Sequence, residues 1–82
     1  MDILTGTITA RLFAGLETQT AERLTQHTFL LTETPNVGAV VARLGLGPGA
    51  AGIVLVNGVH AGGDRLLEPG DEISLFPPLG GG

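Results

Sequence analysis

Few side chains in this sequence could do chemistry, and the residue types that are missing narrow the field. The 82 residues contain no cysteine, and Arg11, Arg23, Arg43 and Arg65 account for all 4 basic positions, leaving no lysine. That excludes a thiol nucleophile, a zinc knuckle, an iron–sulfur cluster, a disulfide scaffold, a Schiff base and the ammonium of a P-loop. His27 and His60 are the only histidines and Ser74 the only serine, so neither a ligand-spaced metal set nor a Ser-His-Asp constellation can be assembled. No metal site is expected. His27 reads as a packed core histidine and His60 as a solvated one beside a turn. Asp71 and Glu72 could be offered as paired carboxylates, but adjacent strand residues point to opposite faces, which favours a turn residue followed by an exposed strand position. Gly47-Pro48-Gly49-Ala50-Ala51-Gly52 fits G-x-G-x-x-G letter for letter. A dinucleotide site needs a strand before those glycines and a helix after them, whereas here a helical pattern precedes and a strand pattern follows. The segment reads as a helix-to-strand loop.

What remains is the end of the chain. Phe76-Pro77-Pro78-Leu79-Gly80-Gly81-Gly82 places two rigid residues after the last strand pattern, then one apolar anchor, then three glycines. Glycines enter a channel too narrow for a Cβ and can lie close to another protein's backbone or to phosphates. A free carboxylate is a poor acyl donor, so Gly82 would have to be activated with ATP to an acyl-adenylate by another protein. On that reading the chain is a substrate rather than a catalyst.

The elements that must present this tail follow from periodicity. From Thr5 to Ala14, Ile8, Ala10, Leu12 and Ala14 alternate with other residues, which predicts a strand. Leu16 to Arg23 is polar and fits either a loop or a short helical turn. Leu24 to Thr32, with His27, Phe29 and Leu31 on one face, predicts a second strand paired with the first. Val37, Val40, Val41 and Leu44 stand at helical spacing between an Asn36 N-cap and a Gly45 stop, so Val41→Asp is expected to unfold the domain. Ile53 to Val56 predicts a strand buried on both faces. Asn57-Gly58 signals a type I′ hairpin leading to a short edge at Val59 to Ala61. Pro69-Gly70-Asp71 marks a turn before a last strand, Glu72 to Phe76, which Pro77-Pro78 must terminate. One helix for a whole sheet argues an α+β domain with the helix packed across one sheet face. The expected organisation is a domain over residues 1–76 and an extended tail over 77–82.

Charge and hydropathy bound the partners. Four basic against eight acidic residues give −4 at neutral pH. With the arginines scattered, no basic patch for nucleic acid can form, and an acidic surface suits partners presenting basic grooves. Val37 to Val56 carries Arg43 as its sole charge but is broken by Gly45, Gly47, Pro48, Gly49 and Gly52, so it reads as two buried elements and not a membrane span. Met1 to Gly6 lacks the cationic and apolar regions of a signal peptide, which makes the cytoplasm the expected location.

Taken in order, Arg11-Leu12-Phe13-Ala14, Asn36-Val37, Val54-Leu55-Val56-Asn57-Gly58, Pro69-Gly70-Asp71-Glu72-Ile73 and Leu75-Phe76-Pro77-Pro78 followed by Gly81-Gly82 carry a resemblance. The chain resembles the ubiquitin-like β-grasp sulfur carriers, and among them most closely the small subunit of molybdopterin synthase. Two departures from the family pattern stand out: Gly38 sits near the helix start where a polar residue is commoner, and Leu16 to Gln26 has no firm counterpart. The resemblance implies a β-grasp mixed sheet. It implies that an adenylating enzyme of the ubiquitin-activating type, using ATP and Mg, activates the Gly82 carboxylate, and that a sulfurtransferase route leaves a Gly82 thiocarboxylate. The chain itself would bind no cofactor. Gly80 and Gly81 would enter partner active sites, while Phe76, Pro77, Pro78 and Leu79 would dock on partners, among them the large synthase subunit, where sulfur passes to precursor Z. Similar carriers serve thiamine and cysteine synthesis, and a ubiquitin-like modifier conjugated through Gly82 would need the same tail.

Overall fold

Alternation at the start of the chain produces strand β1, Thr7–Leu12, in the computed structural model, which describes residues 6–79. Ile8, Ala10 and Leu12 are buried while Thr7 and Arg11 stay exposed, as a period of two requires. The strand stops before Ala14, which was expected to continue its apolar face. Ala14 and Gly15 instead take φ values of 54° and 84°, reversing the backbone and leaving Ala14 exposed. The reversal drops Leu16 into the core with no exposed surface. Residues Leu16–Gln19 form one 3-10 turn, closed by the Thr18 and Thr20 hydroxyls donating to the carbonyls of Gly15 and Glu17 at 2.7 and 2.8 Å.

Strand β2, Gln26–Leu30, runs antiparallel to β1 with His27 opposite Ala10 and Phe29 opposite Ile8. It is shorter than expected because a turn begins at Leu30, whose carbonyl accepts from the amides of Glu33 and Thr34 at 2.9 and 3.1 Å. His27 is buried, and its Nε2 lies 3.0 Å from the Leu24 carbonyl, which can only accept, so the hydrogen sits on Nε2. Helix α1, Val37–Leu44, starts where expected: Asn36 Oδ1 accepts from the Ala39 amide at 2.8 Å. It ends at Gly45, whose φ of 74° is the left-handed stop. Val37, Val40 and Leu44 are buried, whereas Val41 is only partly so.

Strands β3, Ile53–Val56, and β4, Val59–His60, form the hairpin around Asn57-Gly58, both with positive φ as a type I′ turn needs. Strand β5, Glu72–Phe76, then inserts between β1, to which it is parallel, and β3, to which it is antiparallel. The sheet order is β2-β1-β5-β3-β4. One departure concerns β3: only Val56 is buried, because Ile53 and Leu55 alternate onto the sheet face opposite the core residues Ile73 and Leu75. Covering that face as well would take a second layer of helix, and the described residues contain one α-helix. A second departure concerns Asp71, which is buried and not simply a turn residue. Its carboxylate accepts from Asn57 Nδ2 and from the Glu68 amide, each at 2.9 Å, and so ties the hairpin turn to the start of β5.

The connection after β4 is laced to the start of the helix. The amides of Val37 and Gly38 donate to the carbonyls of Arg65 and Gly63 at 3.0 and 2.8 Å, and the Leu67 amide donates to Pro35 at 2.9 Å. Val37 to Val56 is thereby divided between α1 and β3. Among the described residues, no helix is long and apolar enough to cross a membrane.

Candidate tail-presenting site

Because β5 is a central strand, its last residues are held from both sides. On the β1 side the Phe13 amide donates to the Leu75 carbonyl at 3.0 Å, and on the β3 side the Gly52 amide donates to the Phe76 carbonyl at 2.9 Å. The rings of Phe13 and Phe76 stack with centroids 4.7 Å apart and planes 13° from parallel. Beyond Phe76 neither Pro77 nor Pro78 has an amide hydrogen, so the ladder cannot continue. Pro77 is partly buried, Pro78 exposed, and Leu79 is 85% exposed. Gly80, Gly81 and Gly82, the residues on which the expected chemistry falls, lie outside the described residues.

The surface around this exit is apolar and open. Ile53 pairs with Phe76 and Leu55 with Ser74, and both apolar side chains are partly exposed on the uncovered sheet face. Phe13, 39% exposed and stacked on Phe76, extends it. Farther down the same face the Arg11 guanidinium lies 3.8 Å from the Glu72 carboxylate, both about half exposed, a pair worth roughly 0–1 kcal/mol.

The other chemistry-bearing residues are spread through the fold and do not converge. His27 is buried under β2, with Glu22 3.7 Å from its Nδ1, while His60 is exposed in β4. Among the described residues no group of three or more histidines and carboxylates could hold a metal ion. The glycine-rich segment 47–52 runs as a loop from α1 to β3, as its order predicts. It borders an open groove of about 530 Å³ in which His60 is the one titratable lining residue. Nothing in that lining supplies a charge for a pyrophosphate.

A sequence model of the ThiS family matches residues 10–82, which takes in the whole exit apparatus and the terminal glycines. The chain belongs to the ThiS family. It is therefore a ubiquitin-like β-grasp protein of the sulfur-carrier type, as the resemblance implied. The crystal structure of SAMP1 from Haloferax volcanii is similar at 26% identity and a TM-score of 0.68, with 94% of this chain and all of that one covered. A second crystal structure, of H. volcanii small archaeal modifier protein 1, matches at 23% identity and a TM-score of 0.67 over 90% of this chain and 99% of that one. The solution structure of the Haloferax volcanii HVO 2177 protein covers all of this chain and 92% of its own at 24% identity and a TM-score of 0.72. The last two, below 25%, bear on the fold alone. No curated protein sequence matches. ThiS-family carriers work with activating enzymes and sulfur-transfer partners.

Two residues of this exit leave little or no local signal in the sequence. The role of Phe13 is one, since a stack onto a ring 63 positions away (13 to 76) has no signature in the strand period. Gly52 is the other, the last residue of the loop segment 47–52. Its isolated position directly before a strand was the available clue, because a glycine there often marks close approach of another backbone.

Proposed function

We propose that this chain is a sulfur carrier whose reactive group is its own terminal carboxylate. In an adenylating enzyme using ATP and Mg, the Gly82 carboxylate oxygen attacks the α-phosphorus of ATP, pyrophosphate leaves and an acyl-adenylate forms. A sulfide equivalent delivered by a sulfurtransferase then displaces AMP, leaving a Gly82 thiocarboxylate. Gly80 and Gly81 thread into the large subunit of molybdopterin synthase, where the sulfur passes to precursor Z to build the dithiolene that holds molybdenum or tungsten. Phe76, Pro77, Pro78 and Leu79 dock the tail on each partner in turn. In this scheme ATP and Mg belong to the activating enzyme, and the work takes place in the cytoplasm.

One observation carries the reading: a central strand, gripped on both sides, runs out through Pro77-Pro78 to an exposed Leu79, and the family match continues through residue 82. A thin, side-chain-free end on a rigid base suits delivery of a terminal atom into a closed site. The test is genetic. A host lacking this chain should lose molybdopterin, wild-type chain should restore it, and the chain without Gly82 should not. Normal molybdopterin in the deleted host would contradict the assigned acceptor and leave thiamine or cysteine synthesis as the destination.

The 26% identity to SAMP1, a small archaeal modifier protein, favours a second reading, conjugation of Gly82 to amines of other proteins. Having no lysine, the chain could not be extended through lysine linkages on itself.

A further inference from the structure

Gly52 lies where the departing tail crosses the loop that feeds β3. A Cβ built on it would fall 2.5 Å from Pro78 Cα, 2.7 Å from Pro78 N and 3.0 Å from Pro78 Cβ. These are backbone atoms and a ring carbon attached to them, so no flexible side chain can swing aside. Gly52 does not occupy the left-handed region, and an alanine would suit its own backbone; what excludes a side chain is the tail. Gly47, in the same loop and also outside that region, has nothing within 4 Å of a built Cβ. The Gly52 amide at the same time holds the Phe76 carbonyl at 2.9 Å. One residue thus makes the last rung of the ladder and forms the floor on which Pro78 rests.

The two prolines transmit that position outward. Their rings fix φ near −65° and leave only ψ to turn at 77 and 78, so a displacement forced on Pro78 is carried on to Leu79 and the glycines. We infer that Gly52 is a positioning residue that sets the direction in which the C-terminal tail leaves the domain, and thereby the rate at which Gly82 reaches a partner's active site. The inference rests on the reading that Gly82 is adenylated. It adds to that reading a residue outside the tail itself, acting through Pro78.

The test compares wild type, G47A, G52A, P78G and the G52A/P78G double variant. Two readouts are needed: amide shifts and nuclear Overhauser contacts of the free protein, and pyrophosphate exchange with the host's adenylating enzyme. G52A should fold with an unchanged circular dichroism spectrum, lose the contacts between residue 52 and Pro78, and shift the amides of residues 79–82. Its kcat should fall at least ~10-fold with KM for the carrier within about twofold, since displacements near 1 Å cost on the order of 100-fold. G47A should match wild type. P78G frees the tail to bend around an added methyl group, so the double variant should recover to within about threefold of P78G alone, a coupling that a purely structural role would not give. Four results would each overturn the inference: unchanged tail amides in G52A, a G52A rate equal to that of G47A, additive losses in the double variant, or failure of G52A to fold. Absence of exchange with wild type itself would instead refute the adenylation reading, while the tail amides still decide whether Gly52 directs the tail.

Discussion

Asp71 shows what a single residue does in this fold. Its two carboxylate oxygens take hydrogen bonds from Asn57 Nδ2 and the Glu68 amide, and Asn57 Oδ1 in turn accepts from the Glu72 amide at 3.0 Å. Asp71→Ala would orphan a partly buried amide and release the hairpin turn, costing about 1–3 kcal/mol. A denaturant midpoint with unchanged slope checks this. For a domain of this size each kcal/mol lowers the thermal midpoint by roughly 4–8 °C. The Asn57-Gly58 turn was legible in the sequence because its conformational demand is local. The burial of Asp71 was not, since its partner lies 14 residues earlier and nothing in the strand period announces the pairing. The same holds for the stack of Phe13 on Phe76, which only the parallel pairing of β1 and β5 creates.

At the scale of elements, the helix reads most clearly and its burial least evenly. The Asn36 cap and Gly45 stop fix both ends of α1 and the i, i+3, i+4, i+7 stripe its apolar side, but the stripe gives Val40 and Val41 equal standing. In the fold Val40 is fully buried while Val41 lies at the edge of the stripe. Val40→Asp should therefore abolish cooperative unfolding in circular dichroism, whereas Val41→Asp, able to turn its carboxylate toward solvent, should leave a folded but weakened domain. That revises the expectation that Val41→Asp would unfold the domain. Asn36→Ala removes the cap on the Ala39 amide and should cost about 1 kcal/mol. Strand existence and order were legible throughout; strand ends were not. Ala14 fell outside β1 because the left-handed turn at Ala14 and Gly15 serves to bury Leu16, a demand that comes from the core and not from the strand's own period. Ile53 and Leu55 read as buried because an unbroken apolar run cannot report that one sheet face goes uncovered.

The whole molecule places its last strand at the centre of a five-stranded sheet and lets the chain leave from there. A tail attached to a frayed edge would wander with the edge; this one starts from a rung bonded on both sides. The absence of cysteine and lysine, clear from composition alone, leaves the domain with neither a thiol nor a side-chain amine nucleophile, and attention falls on the carboxylate at its end. Deleting Gly82 should leave the thermal midpoint unchanged within about 1 °C, since a glycine at the end of the chain has no side chain to bury. The central claim, that Gly82 carries sulfur, is tested most directly by intact-mass and C-terminal peptide spectrometry of the protein purified from its host. The account predicts a population in which one oxygen of the Gly82 carboxylate is replaced by sulfur, lost when the adenylating enzyme is deleted. A terminus found only as free carboxylate, or only in isopeptide linkage to other proteins, would contradict it.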